Sequence, residues 1–92
     1  MIVWKVIYLK RAIEDLSKLP FGTRNRIANK IKFFRQQKDP LKYAKKLTNP
    51  LFGTYRFRIG NYRAIFDIDD KGLIKILLII TIKHRKDVYR KI

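Results

Sequence analysis

The sequence contains no cysteine and a single histidine, His84, among its 92 residues. Without cysteine the chain can form neither a disulfide nor a thiolate nucleophile, and one imidazole is too few for a histidine-based metal site. We therefore expect neither a metal ion nor another cofactor. Acidic residues are also scarce, since seven aspartates and glutamates stand against 23 lysines and arginines. The net charge of +16 predicts a polyanionic partner, either a nucleic acid or an acidic protein.

Long hydrophobic runs are absent as well. The longest uninterrupted apolar run covers residues 76–80, which is far too short to cross a membrane. Lys5 interrupts the first apolar segment and Lys10-Arg11 follows it, so the N-terminal residues do not resemble a secretory signal peptide. We therefore expect a cytoplasmic protein with no membrane partner.

The sequence does contain enough apolar material for one folded domain. Hydrophobic residues make up 47% of the chain, and they include six phenylalanines, five tyrosines and one tryptophan. That composition argues against a disordered basic tail. A length of 92 residues predicts a single small domain spanning residues 1–92.

Residues 55–68 predict a β-hairpin with Gly60-Asn61 as its two-residue turn. Apolar and polar residues alternate on both sides of that pair, and both turn residues tolerate positive φ. In this register Arg58 faces Arg63, and alternation places Arg56 on the same face. The opposite face carries the apolar side chains Tyr55, Phe57, Ile59, Tyr62, Ala64, Phe66 and Ile68. Like charges directly opposite each other destabilise a sheet, so the Arg58–Arg63 pair predicts an anion bound over that face.

The N-terminal half predicts one strand followed by two helices. Residues 2–9 are rich in Val, Ile, Trp and Tyr, which favours a strand, and residues 10–19 have apolar side chains at helical spacing. Thr23 is the predicted N-cap of a second helix that runs to about Lys38. The apolar stripe of that helix is Ile27, Ile31 and Phe34, with Ala28 alongside. A helical hairpin of this kind buries its apolar side against a sheet.

Basic side chains lie between the apolar positions of the second predicted helix and in the segment after it. On the helix they are Arg24, Arg26, Lys30, Lys32 and Arg35. We favour a solvated helix face for these residues over direct ligand binding. Residues 39–50 are interpreted as a loop with room for a helical turn, bracketed by Asp39-Pro40 and Asn49-Pro50. The loop lysines, predicted to contact a phosphate backbone, are Lys42, Lys45 and Lys46.

A second turn at residues 70–72 predicts a third strand antiparallel to the second. A three-residue loop with Gly72 in the left-handed position sets the register. The pairs in this register are Asp69–Leu73, Asp67–Lys75, Ile65–Leu77 and Arg63–Ile79. The residues then expected on the core face are Ile74, Ile76, Leu78, Ile80 and Ile82. Thr81 and Lys83 are expected on the face that carries the arginines.

The end of the third predicted strand lies beside the Gly60-Asn61 turn, because consecutive strands run antiparallel. The side chains expected to converge there are Arg58, Arg63, Lys83, His84, Arg85 and Tyr89. Taken singly, a lone histidine is more often an exposed residue without a catalytic role, and a tyrosine near a terminus more often packs over the core. The expected proximity of these side chains changes that interpretation. A histidine, a tyrosine and several guanidinium groups around one strand end fit phosphoryl chemistry.

The order of elements predicts an α+β domain, β-α-α-β-β-β, in which a helical hairpin packs on one face of an antiparallel meander. This arrangement resembles the RelE/ParE superfamily of toxins from toxin–antitoxin systems. The resemblance covers essentially the whole chain and rests on the hairpin Tyr-Arg-Phe-Arg-Ile-Gly-Asn-Tyr-Arg and the later His-Arg-Lys-Asp-Val-Tyr-Arg. It implies a toxin that a cognate antitoxin binds and neutralises, and we expect that antitoxin to present an acidic, amphipathic segment.

In its RelE branch the superfamily implies an endoribonuclease, or mRNA interferase, that cleaves mRNA in the ribosomal A site without a metal ion. The ribose 2′-OH attacks, which leaves a cyclic phosphate and a 5′-OH. By this resemblance Arg56 and Arg58 occupy the basic pair of the second strand, and Arg63 occupies the position assigned to transition-state charge. Arg85 matches the proposed general acid, with Lys83 as a rival for that position.

One departure from the family pattern concerns the general base. RelE-type enzymes often carry lysines where this chain has Arg56 and Arg58, and a guanidinium positions phosphate well but is a poor base. His84 is therefore the candidate base. Tyr89 matches the tyrosine that stacks on or orients a nucleotide in the family. The lysines expected to contact RNA are Lys42, Lys45, Lys46, Lys83 and Lys86.

Two alternatives to the ribosome-dependent nuclease stay open. The ParE branch has the same fold but poisons DNA gyrase through a protein–protein contact. The chain can also be a non-catalytic basic domain that binds RNA or the ribosome, for which charge alone suffices. The set formed by the arginines, His84 and Tyr89 favours the nuclease.

Overall fold

The computed structural model describes residues 1–48 and 53–88. In chain order the elements are β1 (Val3–Tyr8), α1 (Lys10–Ser17), α2 (Phe21–Arg35), a 3-10 helix (Pro40–Tyr43), β2 (Ala44–Lys46), β3 (Tyr55–Ile59), β4 (Tyr62–Lys71), β5 (Ile74–His84) and α3 (Arg85–Val88). The predicted order β-α-α-β-β-β is confirmed, with β2 and α3 as additions. Tyr89 lies outside the described residues, as do Asn49 and Pro50 at the end of the predicted loop.

The strands form one five-stranded sheet in the order β1-β5-β4-β3-β2. β3, β4 and β5 form the predicted antiparallel meander, and β1 pairs in parallel with β5 at one edge. β2 pairs with residues 55–57 of β3 at the other edge. The sequence did not indicate β2, because its three residues, Ala-Lys-Lys, are too few and too polar to form a strand pattern of their own.

α2 packs the predicted apolar stripe against the inner face of the sheet, which is the face that carries Phe57 and Phe66. Ile27, Ile31 and Phe34 are buried, as the sequence predicts. The Phe34 ring stacks 4.4 Å from that of Phe57, which in turn lies 4.3 Å from that of Phe66. Full burial of one such side chain contributes about 1.5–3 kcal/mol, so this stack fixes the helix on the sheet.

α2 begins at Phe21, directly after Pro20, so the prediction of Thr23 as its N-cap is wrong. The Arg24 N–H already donates to the Pro20 carbonyl at 2.9 Å, which places Thr23 inside the first turn. The helix also ends at Arg35 and does not extend to Lys38.

The predicted register between β4 and β5 is wrong at the turn. Lys71 pairs with Ile74, which leaves Gly72-Leu73 as a two-residue turn. Asp70, in place of Asp67, stands opposite Lys75 and forms an ion pair with it at 3.5 Å. The Gly72 N–H donates to the Asp70 carboxylate at 3.0 Å, and this bond, followed by the Lys75 charge, holds the pKa of Asp70 below its ordinary value. Gly72 has a φ of +80° and is the first residue of the observed turn, whereas the sequence predicts it as the last residue of the loop.

A β-bulge shifts the register again farther along the two strands. Phe66 pairs with Ile79 and Ile65 pairs with Thr81, so Ile80 is an extra residue on β5. The core residues of β5 are consequently Leu77, Ile79 and Ile82. Of the five positions predicted to face the core only Ile82 does so, and Ile74, Ile76, Leu78 and Ile80 were assigned to the wrong face. Residues 76–80 are apolar at every position, so they contain no alternation that could reveal the register.

α1 covers the edge of β5 beyond the point where β1 ends. The Leu9 N–H donates to the Ile79 carbonyl at 2.9 Å, and the chain then turns into the helix. From α1, the Asp15 carboxylate accepts a hydrogen bond from the Thr81 hydroxyl at 2.5 Å and another from the Ile82 N–H at 3.0 Å. Asp15 therefore satisfies an edge N–H that β1 does not reach.

We expect Asp15→Ala to lower the free energy of unfolding by about 1–3 kcal/mol, because it leaves the Thr81 hydroxyl and the Ile82 N–H without acceptors. Thr81 is only 1% exposed, so water cannot easily replace the carboxylate. Urea unfolding measures the change. Glu14→Ala is the matched control, since the Glu14 side chain is 57% exposed and its ion pair with Lys10 spans 4.0 Å. Equal losses in both variants would contradict the structural role of Asp15.

Candidate nucleic-acid interface

Five cations form an aligned group on the outer face of the sheet, which is the face opposite α2. The strand registers place Lys45 opposite Arg56, Arg58 opposite Arg63, and Arg63 opposite Lys83. Cross-strand partners share a face, and residues 56 and 58 share a face by alternation. We call this set, Lys45, Arg56, Arg58, Arg63 and Lys83, the outer basic row. The predicted Arg58–Arg63 opposition is confirmed, and a lysine from each flanking strand extends it.

The outer basic row opposes folding. Each pair of opposed like charges destabilises a sheet, by a magnitude of about 0.2–1 kcal/mol. A polyanion bound along the row would turn this repulsion into attraction, and phosphate groups suit guanidinium donors best.

The β5 bulge decides which side chain joins the row. If Ile80 were not an extra residue, the pairing seen at the turn would continue and place Ile82 opposite Arg63. His84 would then share the outer face with Ile82. The bulge instead places Lys83 opposite Arg63 and turns His84 to the inner face. One extra residue therefore places the ammonium group of Lys83, in place of the Ile82 side chain, opposite Arg63.

Arg63 differs from the exposed Arg58 across the strand pair, because its side chain is buried. Arg63 is 6% exposed, and its Nη1 donates to the carbonyls of Gly60 at 3.0 Å and Tyr62 at 2.9 Å. Its Nε has no acceptor among the described residues. A side chain on the polar face of a hairpin is ordinarily exposed and contributes little to the fold. Burial and the two hydrogen bonds correct that expectation, since Arg63 also fastens the hairpin turn.

His84 lies at the predicted strand end but faces away from the outer basic row. It stands opposite Tyr62, and their rings meet edge to face with centroids 5.4 Å apart. The Lys86 N–H donates to His84 Nδ1 at 3.3 Å, which leaves Nε2 as the nitrogen that carries the proton in a neutral ring. The Arg85 N–H donates to the Asn61 carbonyl at 2.7 Å and ties α3 to the hairpin turn. The predicted approach of β5 to this turn is therefore confirmed.

The three lysines assigned to a loop have different surroundings. Lys42 lies in the 3-10 helix, and Lys45 and Lys46 belong to β2. Lys45 joins the outer basic row, whereas Lys46 stands opposite Tyr55 and so belongs to the inner face. Among the described residues, no group of histidine, aspartate and glutamate side chains could hold a metal ion. No helix in the described ranges is long and apolar enough to cross a membrane.

A family model described as the ParE toxin of the type II toxin–antitoxin system parDE matches residues 6–89 of this chain. The chain is also 32% identical over 88 residues to Toxin RelG of Mycobacterium tuberculosis (strain ATCC 25618 / H37Rv). That alignment covers 96% of this chain and 98% of the relative.

Two solved toxin–antitoxin complexes contain chains with the same fold and related sequences. The RelBE2 complex from Mycobacterium tuberculosis matches with a TM-score of 0.62 and 30% identity, over 91% of this chain and 100% of the other. The RelB-RelE complex from Methanococcus jannaschii matches with a TM-score of 0.57 and 27% identity, over 90% and 94%. The RelE-RelB complex from Pyrococcus horikoshii OT3, at 24% identity and a TM-score of 0.64 over 91% and 97%, supports the fold alone.

Proposed function

Because the chain belongs to the ParE toxin family of type II toxin–antitoxin systems, within the RelE/ParE superfamily, we propose that it is a cytoplasmic toxin of the RelE type. In this proposal it cleaves mRNA on the ribosome and needs no metal ion. The observation that carries the proposal is the outer basic row, in which opposed cations line three successive strand pairs. A phosphate backbone is the ligand that best compensates such a row.

The residues of the row suit different parts of the reaction. The substrate 2′-OH gives its proton to a general base and attacks the adjacent phosphorus, and the bond from phosphorus to the 5′ oxygen breaks as that oxygen takes a proton from a general acid. The products are a cyclic phosphate and a 5′-OH. Arg58 is exposed and can bind the phosphate oxygens as their charge grows, while Arg56 beside it positions the backbone. The buried Arg63, opposite Arg58 on the neighbouring strand, adds a second fixed positive charge.

Lys83 is better placed than Arg85 to protonate the leaving 5′ oxygen. Lys83 stands opposite Arg63 in the row, whereas Arg85 begins α3 beyond the strand. An ammonium group also releases a proton far more readily than a guanidinium, which stays protonated throughout the physiological range. We therefore assign the general-acid role to Lys83, and we keep Lys42 and Lys86 as backbone contacts.

The variant His84→Gln tests whether His84 is the general base. The hydrogen bond at Nδ1 leaves His84 with Nε2–H, which is a donor, so a glutamine at this position can place its amide N–H near the same point. If His84 orients RNA as a donor, His84→Gln should keep single-turnover cleavage within a few fold of the parent. If His84 is the general base, the same variant should lose about 100-fold or more, because an amide cannot take the proton. His84→Ala, which removes both capacities, is the reference for complete loss.

A second candidate function is inhibition of DNA gyrase without nuclease activity. It is favoured by one observation, namely that the matching family model is described as the ParE toxin. Two assays with the same purified protein separate the candidates. Shortened mRNA in a translating extract, with gyrase supercoiling intact, supports the nuclease. Blocked supercoiling with intact mRNA supports the gyrase poison, and neither effect supports a plain RNA-binding or ribosome-binding domain.

We propose that a cognate antitoxin binds this chain, as RelB accompanies the toxin in the complexes that resemble it. A groove of about 350 Å³ between α1 and α2 suits the apolar side of an amphipathic segment. It is lined by Tyr8, Ile13, Leu16, Ser17, Arg24 and Ala28. Ile13 is 56% exposed there, and Arg24 adds a cation for acidic side chains of the partner.

We expect the affinity of that antitoxin to fall as ionic strength rises, because the net charge of +16 attracts an acidic partner over long range. The association rate constant should change more than the dissociation rate constant, since screening acts mainly on the encounter. Surface plasmon resonance across a series of salt concentrations measures both constants. An affinity that stays constant from low to high salt would count against the electrostatic account.

A further inference from the structure

α2 carries a second concentration of positive charge that the proposed chemistry does not use. Residues 16–38 contain seven lysines and arginines and no acidic residue. The first turn of α2 lacks the acidic side chains that usually stabilise a helix N-terminus. Arg26 and Lys30 also stand four residues apart, and like charges at that spacing destabilise a helix. The sequence predicts a merely solvated face here, yet this face opposes helix formation in the same way that the outer basic row opposes sheet formation.

These cations border a groove of about 520 Å³ on the outside of α2. The groove is lined by Gly22, Asn25, Arg26, Asn29, Lys30 and Phe33. It therefore combines two cations, two side-chain amides and one aromatic ring. Phe33 is 44% exposed although it contacts Phe34 and Tyr43 edge to face, with centroids 6.0 Å and 6.2 Å away. Those contacts hold the ring in place, and Lys30 Nζ lies 4.9 Å from its centroid.

Gly60 connects this groove with the outer basic row. Its φ of +59° fits the hairpin turn, and a Cβ at this position would lie 3.1 Å from Arg26 Nη2. On its other side the Gly60 carbonyl accepts from Arg63 Nη1 at 3.0 Å. One backbone residue therefore lies against a guanidinium from α2 and a guanidinium from β4. The positive surface continues from the row, across the turn, onto α2.

We infer that the α2 groove binds a single strand of RNA that continues from the outer basic row. Arg26 and Lys30 contact phosphates, Asn25 and Asn29 reach base edges, and Phe33 stacks on an unpaired base. The strand is single because a ring at the surface can stack only on a base that is free of a duplex. RNA is named as the polyanion on the basis of the proposed function, but the groove is a separate contact from the reacting phosphate.

The test measures binding without ribosomes or cleavage. A fluorescently labelled, single-stranded RNA oligonucleotide is titrated with the parent protein and with variants at several salt concentrations. Phe33→Leu should weaken binding by about fivefold or more, because one stacked base is lost. Arg26→Gln/Lys30→Gln should reduce the slope of log affinity against log salt by about 1.4, since about 0.7 is lost for each phosphate contact on a single strand. Circular dichroism confirms that each variant is folded.

Lys10→Gln is the control, compared per charge removed, because it takes one positive charge from a side chain on α1 that is 92% exposed. It should leave the salt slope and the stacking contribution unchanged. An equal loss in Lys10→Gln and in the α2 variants would overturn the inference, since only net charge would then matter. The inference would also be overturned if the α2 substitutions left RNA affinity unchanged but weakened binding of an acidic peptide. That result would assign the groove to a protein partner. A protein that binds RNA through this groove but cleaves nothing supports the inference and refutes the proposed function.

Discussion

Arg58→Ala is expected to abolish toxicity and, at the same time, to make the protein more stable. Arg58 is exposed and stands opposite Arg63, so its removal relieves a pair of like charges and exposes no core residue. The gain in free energy of unfolding should be about 0.2–1 kcal/mol. The loss of a cation that binds charge in the transition state should lower the cleavage rate about 100- to 1,000-fold.

Opposite signs for stability and activity distinguish a functional residue from a structural one. Urea unfolding gives the first quantity, and single-turnover cleavage of mRNA on programmed ribosomes gives the second. Lys5→Ala is the control, because it removes the same charge from an exposed position on β1 that stands opposite Ile76, seven residues before Lys83 on β5. A toxic Arg58→Ala protein, or one that loses stability, would contradict the function assigned to the outer basic row.

Arg63→Ala is expected to lower activity and stability together. The guanidinium donates to two turn carbonyls, and their loss should reduce the free energy of unfolding by about 1–3 kcal/mol. Relief of the repulsion from Arg58 and Lys83 offsets only part of this, since each opposed pair is worth about 0.2–1 kcal/mol. Cleavage should fall by a factor similar to that for Arg58→Ala, because the charge behind the phosphate is lost.

Arg63→Lys separates the two functions of this arginine. A lysine keeps the positive charge but cannot donate from the same planar group to the carbonyls of Gly60 and Tyr62 while facing the row. We expect it to recover part of the cleavage, because the charge is kept, and little of the stability, because the two turn contacts are lost. Thermal unfolding and single-turnover cleavage, both measured on protein shown to be folded, check this. An Arg63→Ala protein with parental stability would mean that the turn contacts contribute nothing.

The β3–β4 hairpin was predictable residue by residue from the sequence. Gly60-Asn61 permits only a tight turn, and strict alternation on either side leaves one register that buries Phe57 and Phe66. The observed pairing of Arg58 with Arg63 is the predicted one. The apolar stripe of α2 was equally predictable, because large apolar residues at helical spacing have few other interpretations.

The register of β5 could not be predicted from the sequence in this way. Residues 76–80 are uniformly apolar, so the alternation of polar and apolar residues reveals neither the position of the turn nor the extra residue Ile80. The sequence grouped His84 with the arginines because it lies at the strand end beside the Gly60-Asn61 turn, although its side chain faces Tyr62 on the inner face. The burial of Arg63 was hidden for another reason. Its hydrogen-bond acceptors are backbone carbonyls, and every residue has one, so no residue type in the sequence marks them as partners of Arg63.

The most direct test of the central claim is to map the 5′ ends of mRNA after purified protein meets programmed ribosomes. The account predicts cuts in phase with the codons in the A site, with 5′-OH ends that appear only when ribosomes are present and without added metal. The same cuts should disappear with Arg58→Ala and persist with Lys5→Ala. Intact mRNA on ribosomes, at protein concentrations that arrest growth, would contradict the assignment of this toxin to the RelE type.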